Sequence, residues 1–411
     1  MVGGGAREHA LCLALAADPA VTRLVAAPGN AGIGLVAERR PVDVGSPAAI
    51  ADLAVAVGAQ LVVIGPEVPL VAGAADAVRA RGIACFGPSQ AAARLEGSKA
   101  FAKDVMAAAG VPTAAARLCH DPAEVASALA EFGPPFVVKD DGLAGGKGVV
   151  VTDDRAVALS HAARCGPVVV EEYLAGPEVS LFCVTDGTTI LPLLPAQDFK
   201  RLGDDDTGPN TGGMGSYAPL PWAPPGLVDD VLDRIVRPTV AELGRRGAPF
   251  AGLLYTGLAL TATGPRVVEF NVRFGDPETQ VVLALLETPL AGLLSAAATG
   301  TLAAHPPLAW RDGAAVTVVV AAAGYPDAAR PGDVIIGADL PGVLHAGTRL
   351  RDDGAVVSAG GRVLSVVGTG ATLDAARTAA YELVGRVDLP GGEYRTDIAS
   401  RALAGDIAVP V

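Results

Sequence analysis

The segment V-V-E-F-N-V-R-F-G-D-P-E-T-Q, Val267 to Gln280, restricts the possible folds more than any other in the chain. Side chains on a strand alternate between faces, so Glu269, Asn271 and Arg273 share one face, and Val268, Phe270, Val272 and Phe274 share the other. The apolar face predicts a strand laid on a core. The polar face puts a carboxylate beside an amide carbonyl, the hard oxygen donors that a cation such as Mg2+ takes, with a guanidinium two residues on that can neutralise charge on a transferring phosphoryl group. An amphipathic surface strand with an ion pair would show the same alternation. The Gly275-Asp276-Pro277-Glu278-Thr279 turn favours a site, because a polar loop at a strand end is where binding residues gather.

A second segment, F-V-V-K-D-D-G-L-A-G-G-K-G-V-V-V from Phe136 to Val151, reads as two strands joined by a glycine loop. Gly145, Gly146 and Gly148 let backbone N–H groups approach phosphate oxygens, and Lys139 and Lys147 bracket the loop with positive charge. It is not a Walker P-loop: Asp141 stands where the first glycine belongs, Gly148 follows Lys147 where Ser or Thr is required, and the loop opens no helix. Val168 to Tyr173 reads as a strand running into a connector through Leu174, which can offer backbone groups to an adenine edge, and Glu178 beyond it can accept from ribose hydroxyls. The paired Glu171 and Glu172 read equally as a solvated edge. Leu95 to Gly110 reads as one helix with Ser98 and Lys99 early in it. The Asp- and Gly-rich stretch 198–224 lacks EF-hand spacing and reads as a long mobile substrate loop.

Short apolar runs at Thr22–Ala26, Leu61–Ile64 and Ile83–Phe86 each end in a small-residue loop, which predicts a parallel sheet with ligands at its carboxyl edge. The start, Gly3 to Ala10, is a glycine turn entering a helix, an arrangement that favours anions and that a dehydrogenase could share. A helix is predicted over 227–244, then strands Gly252–Thr261 and Arg266–Phe274, and from Ala315 a small α+β unit with a helix over Leu373–Val384. At 411 residues and net charge −13, the chain has material for several cores and no basic face for nucleic acid. Its five scattered cysteines fit a reduced, cytoplasmic setting, its five histidines form no catalytic pairing, and its apolar runs are too short to span a bilayer.

The motifs G-A-R-E-H-A-L, A-P-G-N-A-G, I-G-P-E-V-P-L, L-E-G-S-K-A-F, D-G-L-A-G-G-K-G-V, D-T-G-P-N-T-G-G-M-G and E-F-N-V-R-F-G-D-P-E-T-Q, in this order, resemble those of the phosphoribosylamine–glycine ligase family, over nearly the whole chain. The resemblance implies an ATP-grasp fold of α/β and α+β multidomain class. Its parts would be an N-terminal parallel α/β domain (1–95), a central antiparallel-sheet domain (96–111 and 173–310), a lid subdomain (112–172) and a small C-terminal domain (311–411). The implied reaction joins glycine to 5-phosphoribosylamine with cleavage of ATP, through glycyl phosphate, in a cytoplasmic monomer of purine biosynthesis. Lys99, Lys139 and Lys147 with Gly145, Gly146 and Gly148 would hold ATP phosphates; Glu171, Glu172, Leu174 and Glu178 would face adenine and ribose; Glu269 and Asn271 would hold Mg2+ or Mn2+. Arg273, Lys147, Asp206 and Asn210 would serve catalysis, and the Asp206–Gly215 loop with the Gly275–Thr279 turn would bound the glycine and sugar-phosphate pocket. The chain departs from the family in four ways. It begins two residues before the glycine turn, so that either the sheet lacks its middle strand or translation starts upstream. Its lid is short between Val151 and Val168. It carries Phe199 for His and Asp140 for a small apolar residue. It has no acidic residue on Gly252–Thr261. A different ATP-grasp ligase, or a nucleotide-binding homologue without catalysis, are the competing readings.

Overall fold

The structure, a computed structural model, describes residues 1–143 and 148–410. In the N-terminal region Val2–Gly3 pairs in parallel with Val25–Pro28, which pairs in parallel with Glu38–Arg39. On its other side Val2 bridges Ile64, next to Leu61–Val63, which pairs in parallel with Ala84–Phe86. The middle strand is therefore present, contrary to the first of the two expectations, and two residues suffice for it. Backbone N–H groups of Ala27, Gly65 and Gly29 donate to the carbonyls of Met1, Val2 and Gly3 at 2.9, 3.0 and 3.1 Å, so both edges of the short strand are satisfied. The strand order reverses beside this strand, and the glycine turn, Pro28–Asn30 and Gly65–Glu67 all lie at the carboxyl edge.

The predicted single helix from Leu95 is two, Gln90–Gly97 and Lys99–Ala109. Ser98 lies between them in extended conformation, its hydroxyl accepting from the Phe101 N–H at 3.1 Å. A serine that caps competes with helix continuation, and here capping wins. The consequence is that Lys99 opens a helix rather than riding on the side of one.

Two antiparallel sheets follow. One has the order Ala116–Cys119, Val168–Glu171, Phe136–Asp140, Val149–Thr152, and packs helices Pro122–Phe132 and Arg155–Ala162 over a core of its own that includes Val138, Val170, Leu129 and Ala158. The other has the order Ile190–Pro192, Glu178–Thr185, Gly252–Thr261, Gly264–Asn271. They are joined where Thr113 lies parallel to Val267, its hydroxyl donating to the Val267 carbonyl at 2.7 Å. The helix expected over 227–244 contains a π-helical turn, Leu232–Val236.

The stretch 198–224 is not a plain loop. It supplies Gln197–Asp198 and Gly215–Ala218 to a five-stranded sheet completed by Ala314–Ala321, Arg362–Gly370 and Val343–His345, and folds Arg201–Gly203 against Thr207–Asn210 as a hairpin. Helix Leu373–Val384 lies on this sheet so closely that a Cβ on Gly368 would overlap the Ala380 backbone nitrogen, which is why glycine stands there. Among the described residues no helix is long and apolar enough to cross a membrane.

Candidate active site

A cleft of about 910 Å3 opens between the two antiparallel sheets and is closed at one end by the five-stranded sheet. The Gly264–Asn271 strand runs along its floor. Pairing with Gly252–Thr261 shifts register there: Gly257 faces Glu269 and Leu258 faces Val267, so Val268 is the extra residue of a bulge. Strict alternation therefore fails at one place. Val267, Phe270, Val272 and Phe274 are buried, whereas Val268, expected on the core face, lines the cleft with Glu269, Asn271 and Arg273.

Glu269 accepts no hydrogen bond from any described residue. Burial alone would raise its pKa, but Lys200, Lys139, Lys99 and Arg273 outweigh this and hold it below the usual carboxylate value. The side-chain oxygen of Asn271 has one contact, the Arg273 Nη2 at 3.3 Å. An ionised, donorless carboxylate beside an amide oxygen fits a hard divalent cation. Among the described residues no three His, Cys, Asp or Glu side chains cluster as a metal site, so further ligands would come from water and phosphate.

Arg273 is engaged by two carboxylates from the N-terminal side: Glu67, at 3.3 Å, opens a helix just after the Leu61–Val63 strand, and Glu96, at 3.1 Å, ends the helix before Ser98. Burial opposes the arginine's charge, and these two carboxylates hold its pKa above the usual value. Glu96 also accepts from the Val272 N–H at 2.7 Å, and its own pKa is raised by burial.

Lys139 is buried, donating to the Val268 carbonyl at 2.8 Å and pairing with Glu171 at 2.8 Å. Glu171 is also paired with Lys103 at 3.1 Å, and burial lowers the Lys103 pKa. Both Glu171 oxygens are thus taken by lysines, which was not expected of an adenine-facing group. Glu172 accepts from the Ala115 N–H at 2.9 Å and pairs with Arg266. Leu174 lines the cleft, and its N–H and C=O make no protein hydrogen bond among the described residues. Glu178 pairs with Lys200. Lys99 donates to the Gly142 carbonyl at 2.9 Å, and Asp141 accepts from Ser98 Oγ and the Ala100 N–H, both at 3.1 Å, so the helix start and the glycine loop are cross-linked. Gly148 accepts from the Asp140 N–H at 2.8 Å. Lys147, Gly145 and Gly146 lie outside the described residues.

Asp206, expected to act in catalysis, lines the cleft and is bound to Arg395 at 2.8 Å, while Asn210 reaches the Val149 carbonyl at 3.4 Å across the cleft. Arg395 is 1% exposed; it also grips Asp397 through two hydrogen bonds of 2.7 and 2.6 Å and sits 4.8 Å over the Phe199 ring. Sequence alone assigns no role to Glu67, Glu96, Lys103, Asp198 or Lys200. Glu67 and Glu96 lie inside the I-G-P-E-V-P-L and L-E-G-S-K-A-F motifs, but nothing in the sequence ties them to Arg273, far along the chain.

Three family models cover the chain in sequence: the N domain of phosphoribosylglycinamide synthetase over residues 1–96, its ATP-grasp (A) domain over 97–279 and its C domain over 315–401. The chain is 63% identical over 418 residues to the phosphoribosylamine–glycine ligase of Mycobacterium tuberculosis, covering 100% of this chain and 99% of that one. It is 65% identical over 410 residues to that of Streptomyces coelicolor, covering 98% of each. A crystal structure of the Thermotoga maritima phosphoribosylamine–glycine ligase superposes with a TM-score of 0.85 at 35% identity, over 97% of this chain and 99% of that one.

Proposed function

This chain belongs to the phosphoribosylamine–glycine ligase family, an ATP-grasp family, and we propose that its cleft joins glycine to 5-phosphoribosylamine through glycyl phosphate at the expense of ATP. The observation that carries the reading is Glu269: a half-buried, ionised carboxylate with no hydrogen-bond donor, faced by Lys99, Lys139, Lys200 and Arg273. Such a group fits one end of a metal–triphosphate complex, and the surrounding cations fit the other.

In this reading the free N–H and C=O of Leu174 meet the adenine edge, and Glu178 meets ribose. Glu171 and Glu172 act one step back: Glu171 orients Lys139, and Glu172 with Arg266 fixes the connector. Lys99, Lys139 and Gly148, with Lys147, Gly145 and Gly146, hold phosphate oxygens. Glu269 and Asn271 hold Mg2+, with Mn2+ as an alternative, and the bound ion would neutralise charge on the phosphates. Arg273 stabilises charge on the transferring phosphoryl group, and Glu67 and Glu96 keep it charged and aimed. Asn210 borders the acceptor pocket from the hairpin, whose turn Asp206 secures. Closing this cleft keeps water from an acyl phosphate that it would hydrolyse. The division into domains at 1–95, 112–172 and 311–411, a monomeric state and a cytoplasmic location belong to the same reading.

The test is ADP release with ATP, Mg2+, glycine and phosphoribosylamine generated in the assay, each omitted in turn. Turnover requiring all four supports the reading. Turnover indifferent to glycine, or restored by another amino acid alone, would replace it with a different ligase, and ATP binding with no turnover under any combination would replace it with a non-catalytic binder.

A further inference from the structure

Asp198 has a peculiar position. It ends the two-residue strand Gln197–Asp198, its side chain is 9% exposed, and it lines the cleft. No described residue donates a hydrogen bond to its carboxylate; its nearest cation, Lys200 Nζ, is 3.9 Å away and is hydrogen-bonded instead to Glu178. A nine-tenths-buried carboxylate left without a donor is costly unless a ligand supplies one. Directly opposite Asp198 on the next strand is Ser216, and opposite Ser216 is Thr317; both hydroxyls are buried and have no partner. A row of three polar side chains on one sheet face, none of them satisfied by the protein, leads from the cleft into the wall behind it.

The charged and titratable groups around Asp198 come from every neighbouring element. Lys200 follows it in the chain; Glu178 lies on the adjacent strand, Glu269 on the floor of the cleft, and Glu278 opens the helix behind the Gly275–Thr279 turn. Glu278 is itself occupied, accepting from Ser180 Oγ at 2.9 Å, and Ser180 in turn bonds the Tyr255 hydroxyl. Burial, with Glu278, Glu178 and Glu269, outweighs Lys200 and lifts the Asp198 pKa to about 7, the range in which a carboxylate can take a proton at neutral pH.

Resting on the ligase reading above, we propose that Asp198 is the general base of the second half-reaction, receiving the proton from the amine that attacks the acyl phosphate. The nitrogen lone pair forms the C–N bond, the C–O bond to phosphate breaks, phosphate leaves with that electron pair, and the extra N–H proton passes to an Asp198 carboxylate oxygen. Activation of glycine by ATP precedes this step and needs no proton from Asp198. The acceptor is therefore a protonatable amine, which hydrogen-bonds Asp198 on binding.

The test separates the half-reactions. Hydroxylamine, a strong nucleophile that needs little help from a base, traps an activated acyl group as the hydroxamate. Wild type and Asp198→Asn are assayed for glycyl hydroxamate from ATP, Mg2+, glycine and hydroxylamine, and for amide product with phosphoribosylamine. The expected result is hydroxamate formation within about threefold of wild type and amide formation down by about 10²–10⁴-fold, the usual range for a lost general base. Equal losses in both assays, or amide formation within tenfold of wild type, would overturn the proposal. Asp198→Glu, which keeps a base on a longer arm, should recover part of the amide rate, and a variant no better than Asp198→Asn would count against it. A wild type that gives neither hydroxamate nor amide would instead defeat the ligase reading itself.

Discussion

Arg395→Met removes the guanidinium that ties the Asp204–Asp206 turn to the C-terminal segment, and its cost can be worked from the contacts. Asp397, 18% exposed at the side chain, loses two hydrogen bonds of 2.7 and 2.6 Å and keeps one, from the Asp205 N–H at 3.0 Å. Breaking one partner out of a buried pair costs about 3–5 kcal/mol, and the remaining donor to Asp397 places this case near about 2–3 kcal/mol. Asp206 is 59% exposed, so its lost contact adds only about 0–1 kcal/mol. Losing the cation–π contact with Phe199 adds about 0.5–1 kcal/mol. The sum is about 2.5–5 kcal/mol. Trp222 donates to the Tyr217 hydroxyl at 2.7 Å, and Tyr217 belongs to the same five-stranded sheet, so tryptophan fluorescence in urea reports on this region. The expected result is a loss of about 2.5–5 kcal/mol for Arg395→Met and below about 1 kcal/mol for Asp206→Asn. A loss below 1 kcal/mol for Arg395→Met, or equal losses for both, would refute the argument that Asp397 carries the clasp.

Three further outcomes are expected. Glu269→Gln keeps the side-chain shape and removes the charge that suits a cation, so Mg2+-dependent ADP release should fall by at least about 10²-fold with an unchanged circular dichroism spectrum; near-normal turnover would remove Glu269 from the metal site. Gly176 has φ +149°, and a Cβ there would overlap the Leu260 carbonyl oxygen, so Gly176→Ala should lower the melting temperature and weaken ATP binding, which a thermal-shift titration would reveal. Burial, with a smaller effect from His345, depresses the His9 pKa to about 4. Its folded value lies below its unfolded value of about 6.5, so the unfolded chain binds the extra proton between these limits, and stability falls as pH drops through that window, by up to roughly 3 kcal/mol. Urea midpoints at pH 7.5 and 5 should diverge more in wild type than in His9→Asn, and equal divergence would contradict the assignment.

Much of this architecture was legible because it rests on local pattern. The Phe136–Asp140 and Val149–Thr152 strands around the glycine loop, the long antiparallel pair and the helix Leu373–Val384 follow from alternation, glycine placement and helical periodicity. The failures have local causes too. One bulged residue, Val268, moved a side chain from the core to the cleft; one capping serine divided a helix; and a two-residue strand went unseen because its pairing partners lie far along the chain. The site was legible in its residue types but not in its pairings. Glu171 and Asp206 line the cleft, but their pairing with two lysines and with Arg395 is not written in local pattern, and Asp198 is marked only by its burial and by carboxylates from other strands that outweigh the nearby Lys200.

If the cleft works through glycyl phosphate, a carboxylate oxygen of glycine becomes a phosphate oxygen on the way to the amide. Glycine carrying 18O in both carboxylate positions, turned over with unlabelled ATP, Mg2+ and phosphoribosylamine, tests it by mass spectrometry of the products. Passage through glycyl phosphate leaves one 18O in each inorganic phosphate released and one in the amide carbonyl. Unlabelled phosphate beside fully formed amide would contradict glycyl phosphate as the intermediate and with it the role given to the cleft.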